Sequence, residues 1–286
     1  MRPERLFDAY VFDMDGTIYL GEEVLPGVRE TLRTLRENAV PLRFLSNNPT
    51  KDPEQYAAKL DRLGLATPVE DIANTVVSTV RWLRTHHPDA VVFPIAEQPL
   101  IRALTKAGVR ISEDPAEIDI VVASYDRTFD YRKLQIAFDA LWFHKRGAIL
   151  VQTNPDRYCP FPGGRGEPDC AAITAAIEAC TGVKCTVNLG KPGAVMVAEA
   201  VAGLGVDPAD VLMVGDRLAT DIAMGRAAGM ASALVLTGDN TREDAEQAPP
   251  DQRPDYIVAT FDQLIPDVRP GTVSAAALGR CPTMVG

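Results

Sequence analysis

Short hydrophobic runs alternate with amphipathic stretches along most of the chain. The runs are rich in Val, Ile, Leu and Phe, as strands buried on both faces are. The amphipathic stretches repeat apolar residues three and four positions apart, as helices do. This alternation is typical of an α/β protein in which helices cover a mostly parallel sheet. We predict strands at 7–13, 40–46, 91–95, 119–124, 148–153, 210–215, 231–236 and 255–259.

Three amphipathic stretches each place apolar side chains on one helical face, which we assign to the core. These faces comprise Val28, Leu32 and Leu35; Tyr56, Leu60 and Leu63; and Cys170, Ile173, Ile177 and Cys180. Pro26 and Pro192 suit the first turn of a helix, where a missing N–H group costs nothing. The stretch 154–168 is dense in Pro and Gly and predicts a long loop, whereas residues 266–286 lose periodicity and predict a tail.

The composition describes an ordinary globular chain. Its 286 residues are 46% hydrophobic and 24% charged, which suggests about two domains and excludes wholesale disorder. The formal net charge of −10 argues against a nucleic acid or an anionic membrane as partner, because those surfaces attract clustered Lys and Arg. No apolar run could cross a bilayer and no signal-peptide pattern opens the chain, so we expect a cytoplasmic protein. The five cysteines lack C-x-x-C spacing, and we expect reduced, mostly buried thiols.

Two aspartates one residue apart, Asp13 and Asp15, end the first predicted strand. Open α/β sheets place their active sites at the carboxyl ends of strands. One carboxylate can attack a phosphoryl group while the other moves a proton, and a hard cation such as Mg2+ relieves the repulsion between them. An EF-hand loop is excluded because Gly16 is the fourth residue counted from Asp13, whereas that loop needs glycine at the sixth. A plain Asp-Gly turn remains the alternative for this segment alone.

Three further segments place polar side chains at strand or helix ends. Ser46 ends the second predicted strand and can hydrogen-bond phosphate oxygens, or simply form a turn. Lys191 precedes a predicted helix whose amino terminus attracts anions, although a lone lysine is more often a solvated surface residue. Asp216 follows another strand and can oppose Asp13 as a metal ligand, while Asp221 can orient water, Lys191 or Asp216. A Gly-Asp turn is the alternative there.

Together these segments resemble the four signature motifs of the haloacid dehalogenase superfamily, in the same order. The matching segments are Asp13-Met14-Asp15-Gly16-Thr17, Ser46, Lys191, and Gly215-Asp216 with Asp221. Four longer segments are similar to the NagD-type phosphatase branch, which includes phosphoglycolate and pyridoxal-phosphate phosphatases; they are 45–48, 153–156, 190–192 and 215–222. The resemblance covers nearly everything except the tail. One departure, Pro168-Asp169-Cys170-Ala171, stands where the branch usually has a Gly-rich stretch and leaves the substrate preference open.

The resemblance implies a Rossmann-like, doubly wound parallel-sheet core with an inserted α/β cap domain. It places the core at residues 1–85 and 186–265, the cap at 86–185 and the tail at 266–286. It also implies that Asp13 is the nucleophile and a metal ligand, and that Asp15 is the general acid and base, with its carbonyl on a bound Mg2+. The remaining implied metal ligands are Asp216 and Asp221. The resemblance implies that Ser46, Asn47 and Lys191 hold the phosphate. Asn48, Asn154, Asp156 and Arg157 are further candidates for binding phosphate or substrate.

The expected function is Mg2+-dependent hydrolysis of a small phosphomonoester, such as a sugar phosphate, glycerol phosphate or phosphoglycolate, through an aspartyl-phosphate intermediate. A phosphotransferase or phosphomutase, and a regulatory binding protein that has kept the fold, are the alternatives. The expected partner is a small phosphorylated metabolite, with no nucleic acid and no membrane, and a homodimer is allowed for. Arg157 and Arg165 are candidates for contact with an anionic part of the substrate, although exposed loop arginines more often meet only water.

Overall fold

The computed structural model describes residues 2–144, 147–161 and 163–266. The β-strands within these ranges are β1 (Ala9–Asp13), β2 (Tyr19–Leu20), β3 (Glu23–Val24), β4 (Leu42–Ser46), β5 (Ile72–Asn74), β6 (Val91–Ile95), β7 (Arg110–Ile111), β8 (Ile120–Ala123), β9 (Ile149–Gln152), β10 (Tyr158–Phe161), β11 (Arg165–Pro168), β12 (Cys185–Asn188), β13 (Val211–Gly215), β14 (Ala231–Val235) and β15 (Tyr256–Val258). The α-helices are α1 (Val28–Glu37), α2 (Pro53–Arg62), α3 (Thr75–His86), α4 (Gln98–Lys106), α5 (Tyr131–Phe138), α6 (Cys170–Thr181), α7 (Ala194–Val201), α8 (Ala223–Ala227) and α9 (Arg242–Gln247).

Six strands form a parallel sheet in the order β15-β14-β13-β1-β4-β5. The side chains of β1 alternate between two hydrophobic cores. Tyr10 and Phe12 pack with α1 and α2 on one face, whereas Ala9 and Val11 pack with Met196 of α7 on the other. Helices therefore cover both faces of the sheet. The strand order reverses beside β1, and such a reversal is where open α/β sheets bind ligands.

Five strands from the middle of the chain form a second parallel sheet in the order β12-β9-β8-β6-β7. This sheet is also covered on both faces, because Val121 of β8 packs with Ile173 of α6, while Val122 packs with Leu100 of α4. Two short antiparallel hairpins, β2–β3 and β10–β11, complete the strands of the described residues.

The α/β fold class is confirmed, and each of the eight strands expected from the sequence contains an observed strand. The short strands β5, β7 and β12 and the two hairpins were not expected, because two to four residues are too few to show a periodicity. The core and cap boundaries stay predictions. Helix α3 spans the first of them, at residue 85, and β12 spans the second, at residue 185.

Three local expectations are wrong. The stretch 154–168 is not an unbroken loop, because β10 and β11 pair within it. Pro26 and Pro192 each lie two residues before the first residue of α1 and α7, since a glycine occupies the N-cap of both helices. Among the cysteines of the described residues only Cys170 is buried, and Cys180 is exposed. Cys281 and all but the first residue of the expected tail lie outside the described ranges.

Candidate active site

Four of the segments singled out in the sequence converge at one edge of the six-stranded sheet. Asp13 ends β1, Ser46 ends β4 and Asp216 follows β13, and these three strands are neighbours in the sheet. Lys191 reaches the same place from the segment between β12 and α7, and Asp15 lies in the turn after β1. All five side chains line one pocket. Residues far apart in sequence meet here because parallel strands present their carboxyl ends at the same edge.

Lys191 is the cation at the centre of this pocket. Its Nζ atom lies 2.5 Å from Oδ1 of Asp13 and 2.7 Å from Oδ1 of Asp221. Lys191 is only 2% exposed, which rules out a solvated surface lysine. Burial by itself would lower the pKa of Lys191, but the charges of the two carboxylates outweigh it and raise that pKa. Lys191 is therefore charged, and both of its partners are acidic.

Three buried aspartates stand close together around this cation. Asp13, Asp216 and Asp221 offer oxygen atoms that all lie within 4.8 Å of one another. The Oδ2 atom of Asp13 is buried and accepts no hydrogen bond from the described residues. Burial, and then the neighbouring carboxylates, raise the pKa of Asp216; burial also raises the pKa of Asp221, although Lys191 opposes this effect. A carboxylate oxygen without a hydrogen-bond partner, next to two other buried carboxylates, suits a hard cation that binds oxygen ligands.

Two glycines pack directly against Asp216 and leave no room for a side chain. A Cβ atom built on Gly238 would lie 1.8 Å from Oδ2 of Asp216, and one built on Gly16 would lie 2.7 Å from the same oxygen. Gly16 also has a φ of 89°, a conformation that strains other residues. The Thr17 hydroxyl donates to Oδ1 of Asp216 at 3.4 Å, and the N–H group of Asp239 donates to Oδ2 at 3.2 Å. The surrounding turns therefore hold this carboxylate in place.

Asp15 is half-buried at the edge of the pocket. Burial raises the pKa of Asp15; the charge of Lys59 opposes this rise, and the charge of Asp13 adds to it. Lys59 is itself buried, with its Nζ atom 3.5 Å from the centroid of the Tyr19 ring. A carboxyl group with a raised pKa keeps its proton to a higher pH than an exposed aspartate does, which suits a general acid.

Ser46 faces the pocket from a tight turn. Its Oγ atom accepts a hydrogen bond from the N–H group of Asn48 at 3.1 Å and lies 3.1 Å from the hydroxyl of Tyr56. The side-chain oxygen of Asn48 accepts hydrogen bonds from Thr50, and its amide donates to Sγ of Cys159 at 3.7 Å. The amide of Asn48 thus shapes the turn and contacts β10, while the Ser46 hydroxyl borders the pocket.

The Asn47 side chain connects Lys191 to the segment that follows β9. Its Oδ1 atom accepts the backbone N–H of Lys191 at 2.7 Å, and its Nδ2 atom donates to the carbonyl of Lys191 at 3.2 Å and to Oδ2 of Asp156 at 2.9 Å. The carbonyl of Asn47 accepts the amide of the buried Asn154 at 2.9 Å. Both amide hydrogens of Asn47 are therefore used within the protein. The geometry gives Asn47 and Asn154 a positioning role rather than direct contact with phosphate.

Arg217, directly after Asp216, ties the same segment to the first sheet. Its guanidinium donates to Oδ1 of Asp156 at 3.1 Å and lies 3.0 Å from Oδ2 of Asp239. Its Cζ atom is 5.8 Å from the centroid of the Tyr158 ring, and the Tyr158 hydroxyl donates to Oδ2 of Asp239 at 3.3 Å. Asp156 lines the pocket, but both of its carboxylate oxygens are engaged by Arg217 and Asn47.

Strand β10 and the residue before α6 also line the pocket. Tyr158 and Cys159 line the pocket from β10, and Asp169 lines it from the N-cap of α6. The Oδ1 atom of Asp169 accepts the N–H of Cys170 at 2.6 Å, and Asp169 is 3% exposed. Burial raises the pKa of Asp169 to about 7; the hydrogen bond from Cys170 opposes this rise, and the charge of Asp156 adds to it.

The two arginines expected to contact substrate do not reach the pocket. Arg157 and Arg165 are both exposed, and neither borders the cavity. Arg165 pairs with Phe161 at the end of the hairpin distant from Tyr158, so the hairpin carries it outward. Neither side chain lines the cavity in this structure, and contact of Arg157 or Arg165 with the substrate stays a prediction.

Four residues that line the pocket, Tyr158, Cys159, Asp169 and Arg217, were not expected from the sequence, nor was Gly238, which packs against Asp216. Arg217 directly follows Asp216, a candidate metal ligand, so its position in the sequence could have indicated that it lies at the pocket. Asp169 falls in the departure from the Gly-rich stretch, where a buried acid was not anticipated. No local signal marked Tyr158 or Cys159, because their position depends on the pairing of β10 with β11.

Comparisons with known proteins match both parts of the chain that build the six-stranded sheet. The sequence model of the haloacid dehalogenase-like hydrolases matches residues 10–110, and a second model of HAD-hydrolase-like proteins matches residues 188–264. The acid sugar phosphatase of Staphylococcus epidermidis is 34% identical over 247 residues, which are 85% of this chain and 93% of that protein.

Two solved structures resemble the whole arrangement. NagD of Escherichia coli has a TM-score of 0.79 and 27% identity, covering 90% of this chain and 98% of its own. The glycerol phosphate phosphatase of Mycobacterium tuberculosis, solved in complex with magnesium, also has a TM-score of 0.79, with 31% identity over 90% of this chain and 77% of its own. The resemblance noted in the sequence, including its NagD-type branch, is confirmed.

Proposed function

The chain belongs to the haloacid dehalogenase-like hydrolase family and is a phosphatase, and from this premise we propose that it hydrolyses small phosphomonoesters of the sugar phosphate, glycerol phosphate or phosphoglycolate class. The observation that carries the proposal is the Oδ2 atom of Asp13, which is buried without a hydrogen-bond partner among the described residues, beside Lys191 and in the pocket that Asp15 also lines. The names of the acid sugar phosphatase and the glycerol phosphate phosphatase support the substrate class.

In the first step, the Asp13 carboxylate attacks phosphorus and the bond from phosphorus to the ester oxygen breaks. Asp15, whose pKa is raised by burial, gives its proton to the departing alcohol oxygen. Lys191 and the hydroxyl of Ser46 border the pocket where the phosphoryl oxygens would lie, and they offer a charged and a neutral hydrogen-bond donor. The product of this step is an aspartyl-phosphate on Asp13.

In the second step, Asp15 takes a proton from water, and the water oxygen attacks phosphorus. The bond between phosphorus and the Asp13 oxygen breaks, which regenerates the carboxylate and releases inorganic phosphate. Asp221 takes part indirectly, because its two oxygens accept hydrogen bonds from Lys191 Nζ and from the backbone N–H of Arg217. We assign it to hold Lys191 in place rather than to bind the metal ion.

The acidic cluster fits Mg2+, since it combines an orphaned carboxylate oxygen with two further buried carboxylates. Asp13 and Asp216 would hold the ion, with the backbone carbonyl of Asp15. Bound Mg2+ supplies positive charge to the carboxylates and the phosphoryl oxygens. No helix in the described part of the chain has the length and apolarity to cross a membrane. A homodimer stays a prediction.

We propose that residues 86–185 act as a cap over this chemistry. Three contacts support this role, because Asn154, Asp156 and Tyr158 bind groups of the first sheet around the pocket. A lid of this kind excludes water and large substrates while it contacts the alcohol part of the ester.

The direct test is hydrolysis of p-nitrophenyl phosphate by the purified protein, with and without EDTA. We expect release of phosphate that EDTA stops and added Mg2+ restores. Initial rates with glycerol phosphate, a set of sugar phosphates and phosphoglycolate then rank the substrates by kcat/KM. Product analysis with an added alcohol acceptor separates a hydrolase from a phosphotransferase. Absence of phosphate release from every ester would overturn the proposal, and a rate indifferent to EDTA would overturn its dependence on a metal.

A further inference from the structure

The wall of the pocket that would hold a bound ester includes no basic side chain without a carboxylate partner among the described residues. Lys191 and Arg217 are the basic side chains among the described residues that line the pocket. Lys191 is held by Asp13 and Asp221, and Arg217 by Asp156 and Asp239. Each cation thus has two carboxylate partners already. A substrate with a second anionic group would find no free positive charge on this wall.

Asp169 adds a further carboxyl group to that wall. It is 3% exposed and lines the pocket. The Asn154 side chain hydrogen-bonds to it and the charge of Arg217 acts on it, but no lysine, arginine or histidine of the described ranges forms an ion pair with it. Its capping bond to the N–H of Cys170 engages Oδ1. When it is ionised, a carboxyl group in this position accepts hydrogen bonds from hydroxyl groups and repels a carboxylate, whereas its protonated form can donate to one, so the esters are compared at about pH 8.

We propose that Asp169 selects the alcohol part of the substrate, accepting hydrogen bonds from hydroxyl groups and disfavouring esters that carry a carboxylate. This inference rests on the proposed phosphatase function and narrows it. The preferred substrates are then phosphates of neutral polyols or sugars, and phosphoglycolate is a poor substrate. The departure from the Gly-rich stretch at 168–171 is, on this view, a determinant of specificity.

The test compares two small esters that differ in the group distal to phosphate. The kcat/KM of glycerol 3-phosphate and of 2-phosphoglycolate is measured for the wild-type protein, for Asp169→Asn and for Asp169→Ser. Asn and Ser are both good N-cap residues, so each variant keeps the start of α6 while removing the carboxyl group. Asp130→Asn is the matched control, because Asp130 is an exposed N-cap of α5 that accepts the N–H of Lys133.

We expect the wild-type protein to prefer glycerol 3-phosphate. Asp169→Asn and Asp169→Ser should raise the kcat/KM ratio of phosphoglycolate to glycerol 3-phosphate by about tenfold or more, mainly through a lower KM for phosphoglycolate. Asp130→Asn should leave that ratio at the wild-type value. A change in kcat/KM for one ester alone is not what a general loss of folding would produce, because unfolding would lower the rates with both esters.

Three results would overturn the inference: a wild-type preference for phosphoglycolate, a wild-type protein that hydrolyses neither ester, or a ratio unchanged in the Asp169 variants. If neither Asp169 variant folds, the preference of the wild-type protein between glycerol 3-phosphate and phosphoglycolate decides whether the inference stands. Parallel assays with p-nitrophenyl phosphate keep the two hypotheses separate. Hydrolysis of that ester together with a failed selectivity test removes only the role of Asp169, whereas no hydrolysis of any ester removes the phosphatase proposal itself.

Discussion

The Nζ atom of Lys191 lies 2.5 Å from Oδ1 of Asp13, and both side chains are almost fully buried. Taking two charges out of water is costly, and a single contact between them does not always compensate. Here Asp221 adds a second contact to Lys191, at 2.7 Å, while the other oxygen of Asp13 stays without a hydrogen-bond partner. The pair is thus arranged so that Lys191 orients the carboxylate and leaves one oxygen available for chemistry.

Asp13→Asn should abolish turnover of every phosphomonoester. An amide neither forms the acyl-phosphate nor binds Mg2+ well, so we expect kcat to fall by at least about a thousandfold. Asp8→Asn is the control, because it makes the same change just before β1 on an exposed side chain. Substantial activity in carefully purified Asp13→Asn protein would end the covalent mechanism.

Asp15→Asn should slow catalysis while sparing much of the metal site. The side chain of Asp15 is assigned to proton transfer, and only its backbone carbonyl is assigned to the ion. We expect kcat to fall by about a hundredfold or more, with little change in the Mg2+ concentration that gives half-maximal rate. Titration of the residual activity with Mg2+ separates these two effects. A wild-type rate in this variant would remove Asp15 from catalysis.

Gly238→Ala should disturb the metal site through Asp216. The added Cβ atom would lie 1.8 Å from Oδ2 of Asp216, so the carboxylate or the loop must move. We expect the half-saturating Mg2+ concentration to rise by about tenfold or more. Gly108→Ala is the control, since it meets no atom within 4 Å and has a φ of 76°, so only backbone strain of about 1 kcal/mol is added. Equal Mg2+ dependence in both variants would show that Gly238 does not hold Asp216.

Asn47→Ala distinguishes a positioning residue from a phosphate ligand. The substitution leaves the backbone N–H of Lys191 without its partner, and a buried unpaired group costs about 1–3 kcal/mol, while the carbonyl of Lys191 keeps only its longer hydrogen bond from Asn188 at 3.4 Å. We expect a lower free energy of unfolding, measured with urea, together with a lower kcat. Asn38→Ala, which removes an exposed amide bonded to the carbonyl of Thr34, should change neither. A rise in KM with unchanged stability and kcat would instead favour direct contact between Asn47 and phosphate.

The sequence was sufficient to predict the residues that stand at the ends of regular strands. Asp13, Ser46 and Asp216 end or follow strands whose apolar runs are plain, and the parallel arrangement brings those ends together. Lys191 could be predicted only as part of that set. Its burial and its two acidic partners depend on the packing of the segment after β12 against β1.

The part of the pocket that β10 lines could not be predicted in the same way. The hairpin β10–β11 consists of two four-residue strands, and its Pro and Gly residues have the composition of a loop. The Asn47 side chain bonds to residues that lie 109 and 144 positions away in sequence. From its sequence neighbours alone, Asn47 would be predicted only to form a turn. The positions of Arg157 and Arg165 outside the cavity lining could not be predicted either, because a basic residue in a functional loop has no preferred direction until the loop folds.

Asp169 should also make the stability of the protein depend on pH. The pKa of this carboxyl group is about 7 in the folded chain, against an ordinary value of 3.8, and burial is the main cause. The folded protein therefore binds this proton more tightly than the unfolded chain does. The resulting contribution to stability is complete below about pH 4 and is lost as the pH rises through about 7.

Asp169→Asn removes that titration and keeps the N-cap, so the variant should gain stability relative to wild type as the pH rises. The difference in unfolding free energy between the two proteins should change by about 1–4 kcal/mol between about pH 4 and pH 8. Urea denaturation of both proteins in EDTA at several pH values measures it, and taking the difference cancels the titration of the other buried aspartates. Asp130→Asn controls for exchanging an aspartate cap. If the difference in unfolding free energy stays constant across this pH range, the folded protein does not disfavour the charged form of Asp169. That result would also contradict the view that this carboxyl group faces the substrate without a cation.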